Sequence, residues 1–163
     1  GMVNRVGYPS SEHITQHSQW AQKVDELLQS DAQIYIEIEP EFNVSSNSLT
    51  IETTTEILES ISAPLSLNVI LTESHIIAYQ TDYDADPQEI ADYEHNHVMR
   101  KSLTGSWGVD LGKSDYNNGD VISNTFSLTL DEDWVVEEMS VVAFVSNTNS
   151  YQVIQAEETY IME

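Results

Sequence analysis

Residues 34–57, IYIEIEPEFNVSSNSLTIETTTEI, decide the fold class. Ile34, Ile36 and Ile38 alternate with Tyr35, Glu37 and Glu39. A period of two lays the isoleucines on one face of a strand and the carboxylates on the other. The strand is expected to end at Pro40, which has no N–H for a ladder. Leu49, Ile51, Thr53, Thr55 and Ile57 repeat the period, with Thr50, Glu52, Thr54 and Glu56 on a face fit for water. The connector from Asn43 to Ser48 is short enough to make the two strands an antiparallel pair.

The same pattern continues downstream. Leu65, Leu67, Val69 and Leu71 open a third strand, expected to run on toward Tyr79. Residues 80–120 interrupt it. Thr81 to Gln88 reads as an acidic loop. The spacing of Ile90, Tyr93, His97 or Val98, and Lys101 or Ser102 predicts a helical insertion over residues 89–103. Gly105 to Gly108 should turn, and Asp115 to Asp120, DYNNGD, carries an Asn-Gly hairpin signal. Ile122, Phe126, Leu128 and Leu130 then share a face. Asp131 to Trp134 reads as a connector. Met139 to Val145 is apolar on both faces, as a central strand would be. Asn147 to Ser150 has the length and composition of a hairpin loop before Tyr151 to Ala156, and Thr159 to Met162 adds a short edge strand.

Upstream, residues 1–17 are loop-like. Ser18 is the expected N-cap of a helix reaching about Gln29, whose stripe of Trp20, Val24, Leu27 and Leu28 should bury against a sheet. The sum is about six strands in a mainly β, antiparallel two-sheet sandwich, immunoglobulin-like or jelly-roll, with one N-terminal helix and the helical insertion.

Composition narrows the function classes. Lys and Arg total 5 and Asp and Glu 28, for a net charge of −23. Nucleic acid and anionic membrane surfaces require basic patches, so neither is an expected partner. The chain has no Cys, hence no disulfide, thiolate metal site or CxxC redox centre. No apolar run approaches the roughly 18 residues of a membrane span, and no signal peptide is evident. The chain is therefore expected to be a mature or trimmed piece of an exported protein that does not insert into a membrane.

Candidate residues are few. His95 and His97 form an H-x-H pair beside Glu94. On a strand both imidazoles could reach one zinc, with His75 or an Asp as a third ligand. On the expected helix they lie roughly 200° apart. Arg100 and Lys101 are the one adjacent basic pair. Anion capture is one reading of Arg100; a bidentate carboxylate pair tying the insertion to the sandwich is the other. The loop from Asp115 to Asp120 fails the EF-hand spacing, since Gly119 falls at position 5 and Asp120 at position 6. A calcium site shared between Asp82, Asp84 and Asp86 and Asp115, Asn117 and Asp120 is an expectation to set against a plain Asn-Gly turn. Trp20, Trp107 and Trp134 are each candidates for sugar stacking or for anchoring the core. There is no G-x-S-x-G elbow, Walker loop or dinucleotide fingerprint.

HNHVMRKSLTGSWGVDL at residues 95–111, GMVNR at 1–5, VVAFVSN at 141–147 and VIQAEE at 153–158 together resemble the outer-membrane-protein-28-related family of Bacteroidetes. The resemblance implies a cell-surface or outer-membrane-associated protein, often a lipoprotein, with a thioredoxin-like part before a β-sandwich. It implies that residues 1–30 are the remnant of that thioredoxin-like region and 31–163 the sandwich. The Cys-bearing core of the thioredoxin-like part is not in this sequence, so redox activity is not carried over. The expected function is a non-enzymatic extracytoplasmic module that recognises a protein or a glycan at the cell surface, with His95, His97, Arg100 and Trp107 as binding candidates. Alternatives are an accessory domain for a thioredoxin-like neighbour and a carbohydrate-active hydrolase working through paired carboxylates. No cofactor is expected beyond calcium, and the oligomeric state is open.

Overall fold

The computed structural model describes residues 1–162. Ten strands follow a short N-terminal helical region: α1 (Trp20–Leu27), β1 (Ile34–Asn43), β2 (Ser48–Ile57), β3 (Leu65–Glu73), β4 (Ile76–Thr81), β5 (Glu89–His95), β6 (Val98–Ser102), β7 (Val109–Asp110), β8 (Val121–Thr129), β9 (Met139–Asn147) and β10 (Val153–Tyr160). One sheet has the order β1-β2-β8. The other has the order β10-β9-β3-β6, with β7 following β6 along the same edge of β3. All pairings are antiparallel. The two sheets form a β-sandwich, and β4 and β5 form a separate two-stranded ribbon.

The alternation in 34–57 explains the core. Ile34, Ile36, Leu49, Ile51 and Ile57 from one sheet meet Leu65, Leu67, Val69, Leu71, Met139, Val141, Ala143 and Val145 from the other, all buried. Each large side chain among them contributes roughly 1.5–3 kcal/mol relative to exposure. Thr53 and Thr55 hold inward positions of β2 as their register required. β9 lies between β10 and β3; its inward face is buried in the core, while Val142 and Phe144 on the other face are part-buried, with the Arg5 guanidinium over the Phe144 ring.

Four expectations are corrected. The strand at Ile34 does not stop at Pro40 but runs to Asn43. It pairs only with β2, and an edge strand tolerates a missing N–H. The helical insertion over 89–103 is absent; β5 and β6 occupy it. A corner at Asn96 and His97, the latter at φ +54°, resets the alternation between these strands. Two phases of period two joined by a corner imitate a spacing of three to four. The strand from Leu65 likewise turns a corner at Ser74 and His75 (φ +57°) before β4. The N-terminal helix starts at Trp20, with Ser18 in a preceding 3₁₀ turn, and buries no residue; Leu28 is 74% exposed.

Candidate functional site

The two corners lie side by side, and their backbones explain why. Asn96 Oδ1 accepts from the His75 N–H at 3.0 Å, and Ser74 Oγ accepts from the His97 N–H at 3.1 Å. His75 and His97, both in the left-handed region, thus each have their amide satisfied by the opposite turn. The Ser74 N–H donates to the Glu138 carbonyl at 3.0 Å, fixing the corner to the segment leading into β9. The His75 ring closes the arrangement. Its Nδ1 hydrogen-bonds Glu138 Oε2, and its Nε2 lies 3.9 Å from Glu94 Oε1. The hydrogen bond and charge of Glu138, reinforced by Glu94, raise the His75 pKa above its ordinary 6.5.

Beyond the corners, β4 and β5 leave the sandwich as an arm. Ile77, Tyr79, Tyr83 and Tyr93 are exposed along it, Tyr83 at 81%. The arm carries Asp82, Asp84, Asp86, Glu89, Asp92 and Glu94 and no Lys or Arg. Its base is anchored by Arg100 on β6, whose Nε donates to Glu73 Oε2 at 2.7 Å. The other Glu73 oxygen accepts the Val135 N–H at 3.3 Å. Glu73 is almost fully buried and Arg100 is about a quarter exposed. The contact is a single hydrogen bond rather than the fork expected from the sequence.

The remaining candidates fall in different places. His95 ends β5 with its ring edge-on to Tyr93, centroids 4.8 Å apart, and His97 Nε2 lies 3.6 Å from Glu158 Oε1. The H-x-H pair is thus split across the corner. Asp82 Oδ1 accepts the Asp84 N–H at 3.0 Å inside the tip of the arm. Asp115 is held by Ser62 and Ser114, and Asp120 by Lys113 Nζ at 2.8 Å and the Asn117 N–H at 3.0 Å. Lys113 beside it lowers the Asp120 pKa. Among the described residues no three His, Asp or Glu converge as a metal-ligand cluster, so the six calcium candidates do not assemble into one site. The DYNNGD segment makes an isolated turn rather than a hairpin. Asp120 N–H donates to the Asn117 carbonyl, with Gly119 at φ +86°.

Tyr116, in the middle of that acidic segment, is a fully buried anchor that no local pattern announces. Its backbone bridges Ile61, and its hydroxyl donates to the Lys113 carbonyl at 3.0 Å. Burial pushes its phenol pKa up. The three tryptophans separate as well. Trp134 packs against the core, Trp20 covers Gly1, and Trp107 is 56% exposed at an aromatic corner with Tyr8 and Tyr151. A cavity of about 710 Å³ lies between the end of α1 and β10, with Asp31 and Glu59 among its lining residues.

The sequence matches the family described as Outer membrane protein Omp28 over residues 1–163. No curated protein matches it. Among solved structures it is similar to a domain of the outer membrane lipoprotein Omp28 from Porphyromonas gingivalis, with a TM-score of 0.54 and 19% identity. That alignment covers 80% of this chain and 96% of the other. It is also similar to Spo0M, a sporulation control protein of Bacillus subtilis, with a TM-score of 0.50 and 12% identity over 81% of this chain and 49% of the other. At these identities the structural likenesses speak for the fold alone. With a family match across its whole length, the chain belongs to the outer membrane protein Omp28 family and is an extracytoplasmic protein of the outer membrane or cell surface.

Proposed function

We propose that this protein is a non-catalytic recognition module of the cell surface that docks a protein partner through the β4–β5 arm. The observation that carries this reading is the arm itself, a ribbon that leaves the sandwich with Ile77, Tyr79, Tyr83 and Tyr93 exposed. A two-stranded ribbon in water is marginal without a third strand or a packed face. Tyrosine is the kind of residue that anchors interfaces, because it buries a large area while ordering few torsions. The arm's carboxylates favour a partner with a basic rim and make the encounter faster at low salt. His95, Asp82, Asp84 and Asp86 belong to the arm on this reading, and His97 and Arg100 to its base.

The test is binding of the purified domain to immobilised cell-surface and extracellular-matrix proteins, with a Tyr79→Ser/Tyr83→Ser variant alongside. Binding that weakens with added salt and is lost in the variant supports the arm. Equal binding of both proteins to every target refutes it. One observation favours a hydrolase instead: Asp31 and Glu59 both line the cavity beside α1, along with Asn4, Gln33, Gln152 and Gln155. Turnover of a chromogenic glycoside that disappears in Glu59→Gln would favour that reading over docking.

A further inference from the structure

The outward face of the β3–β9 ladder holds a second feature, remote in kind from the acidic arm. Ser66 and Ser146 are register partners there, with hydroxyls 3.1 Å apart. Trp107, Tyr151 and Thr148 stand around them, and the five residues bound a hollow of about 230 Å³. The Trp107 and Tyr151 rings are 5.0 Å apart at 55°. Tyr8 braces both from the N-terminal segment, edge-on to Tyr151 at 5.2 Å and 6.3 Å from Trp107.

The backbone is arranged to put these rings where they are. Gly108 has φ +85°, and a Cβ there would lie 2.6 Å from the Leu67 carbonyl oxygen, so only glycine lets the Trp107 turn press onto β3. Tyr151 itself sits at φ +60°, a conformation that a bulky residue holds only where its surroundings impose it. Asn68 is the next outward residue of β3 after Ser66 and lies beneath Gly108. It is 2% exposed, and its Nδ2 has no hydrogen-bond partner.

Charge distinguishes the hollow from the rest of the surface. In a chain with 28 carboxylate side chains, its lining has neither an acid nor a base. Aromatic faces with hydroxyls that both donate and accept suit a ligand that is itself ringed by hydroxyls and has one apolar face. The net charge of −23 disfavours an acidic ligand. We propose that this hollow binds a neutral saccharide, with the C–H face of one pyranose ring against the Trp107 indole and its hydroxyls toward Tyr151 and toward Thr148, whose own hydroxyl donates to the Pro64 carbonyl at 3.2 Å and accepts from the ligand, above the buried Ser66–Ser146 pair.

The test follows the three indole N–H signals by NMR while maltotriose, cellotriose or chitotriose is added to the full chain, with sialyllactose as an anionic comparison. The expected result is a saturable displacement of the Trp107 signal by a neutral trisaccharide, with Trp20 and Trp134 unmoved. Trp107→Ala should weaken binding about tenfold, equivalent to about 1.4 kcal/mol, and Trp107→Phe should lose less. Trp107→Ala also removes the ring contacts with Tyr8 and Tyr151, so unchanged Trp20 and Trp134 indole signals check that the variant is folded, and Trp107→Phe keeps an aromatic ring in place. The proposal is overturned by no Trp107 displacement with any neutral trisaccharide, by unchanged affinity in Trp107→Ala, or by preference for sialyllactose. Displacement of the saccharide by a proline-rich peptide at lower concentration would overturn it in favour of a peptide groove. None of these outcomes touches the arm, whose residues are different.

Discussion

Glu73 and Arg100 carry the clearest energetic consequence of any residue pair. Glu73 continues the inward face of β3 after Val69 and Leu71, and a carboxylate there is costly unless it is paired. Arg100 and the Val135 N–H supply the pairing. Arg100→Ala should therefore destabilise the domain by roughly 3 kcal/mol, because it leaves a buried charge uncompensated. Denaturant unfolding checks this, and a loss below about 0.5 kcal/mol would show that water replaces the guanidinium without penalty. The sequence marked Arg100 through its rarity among so many acids. It did not mark Glu73, since nothing in one carboxylate among 28 says that it faces inward.

At the scale of elements, the corner between arm and sandwich is where protonation should matter. The raised pKa of His75 means that its protonated form is favoured in the folded state. The contribution of its contacts with Glu138 and Glu94 is complete below the ordinary value of 6.5 and is lost as pH rises through the raised value. Amide protection factors of β4 and β5 should fall across that window while those of β3 and β9 hold. The His75→Gln variant separates this from His95 and His97, which sit on the same corner. If the variant shows the same fall, His75 is not the pin. The corner also shows why an insertion of strands was legible only as a helix. His75 and His97 adopt positive φ without being glycine, so no sequence signal announces either break.

At the scale of the whole molecule, the net charge of −23 opposes compaction by self-repulsion, which ions relieve. The loops that suggested calcium already have partners: Lys113 and Asn117 for Asp120, Ser62 and Ser114 for Asp115, and the Asp84 N–H for Asp82. Calcium and magnesium at matched ionic strength should therefore raise the melting temperature equally. A gain that saturates at low millimolar calcium and is not reproduced by magnesium would reveal a specific site instead.

The chain itself determined the β class, because alternation records which face of a strand leaves water, and that record in Ile34 to Ile57 needs no knowledge of neighbours. It also marked Met139 to Val145 as a strand with apolar residues on both faces, of which Met139, Val141, Ala143 and Val145 are buried and Val142 and Phe144 part-buried. Tertiary structure alone decided that Pro40 lies within an edge strand, that Tyr116 is a core anchor inside an acidic loop, and that Tyr8, Trp107 and Tyr151 meet. Each of these depends on a partner far away in sequence, and local pattern carries no information about such pairings until the sheets have closed on one another.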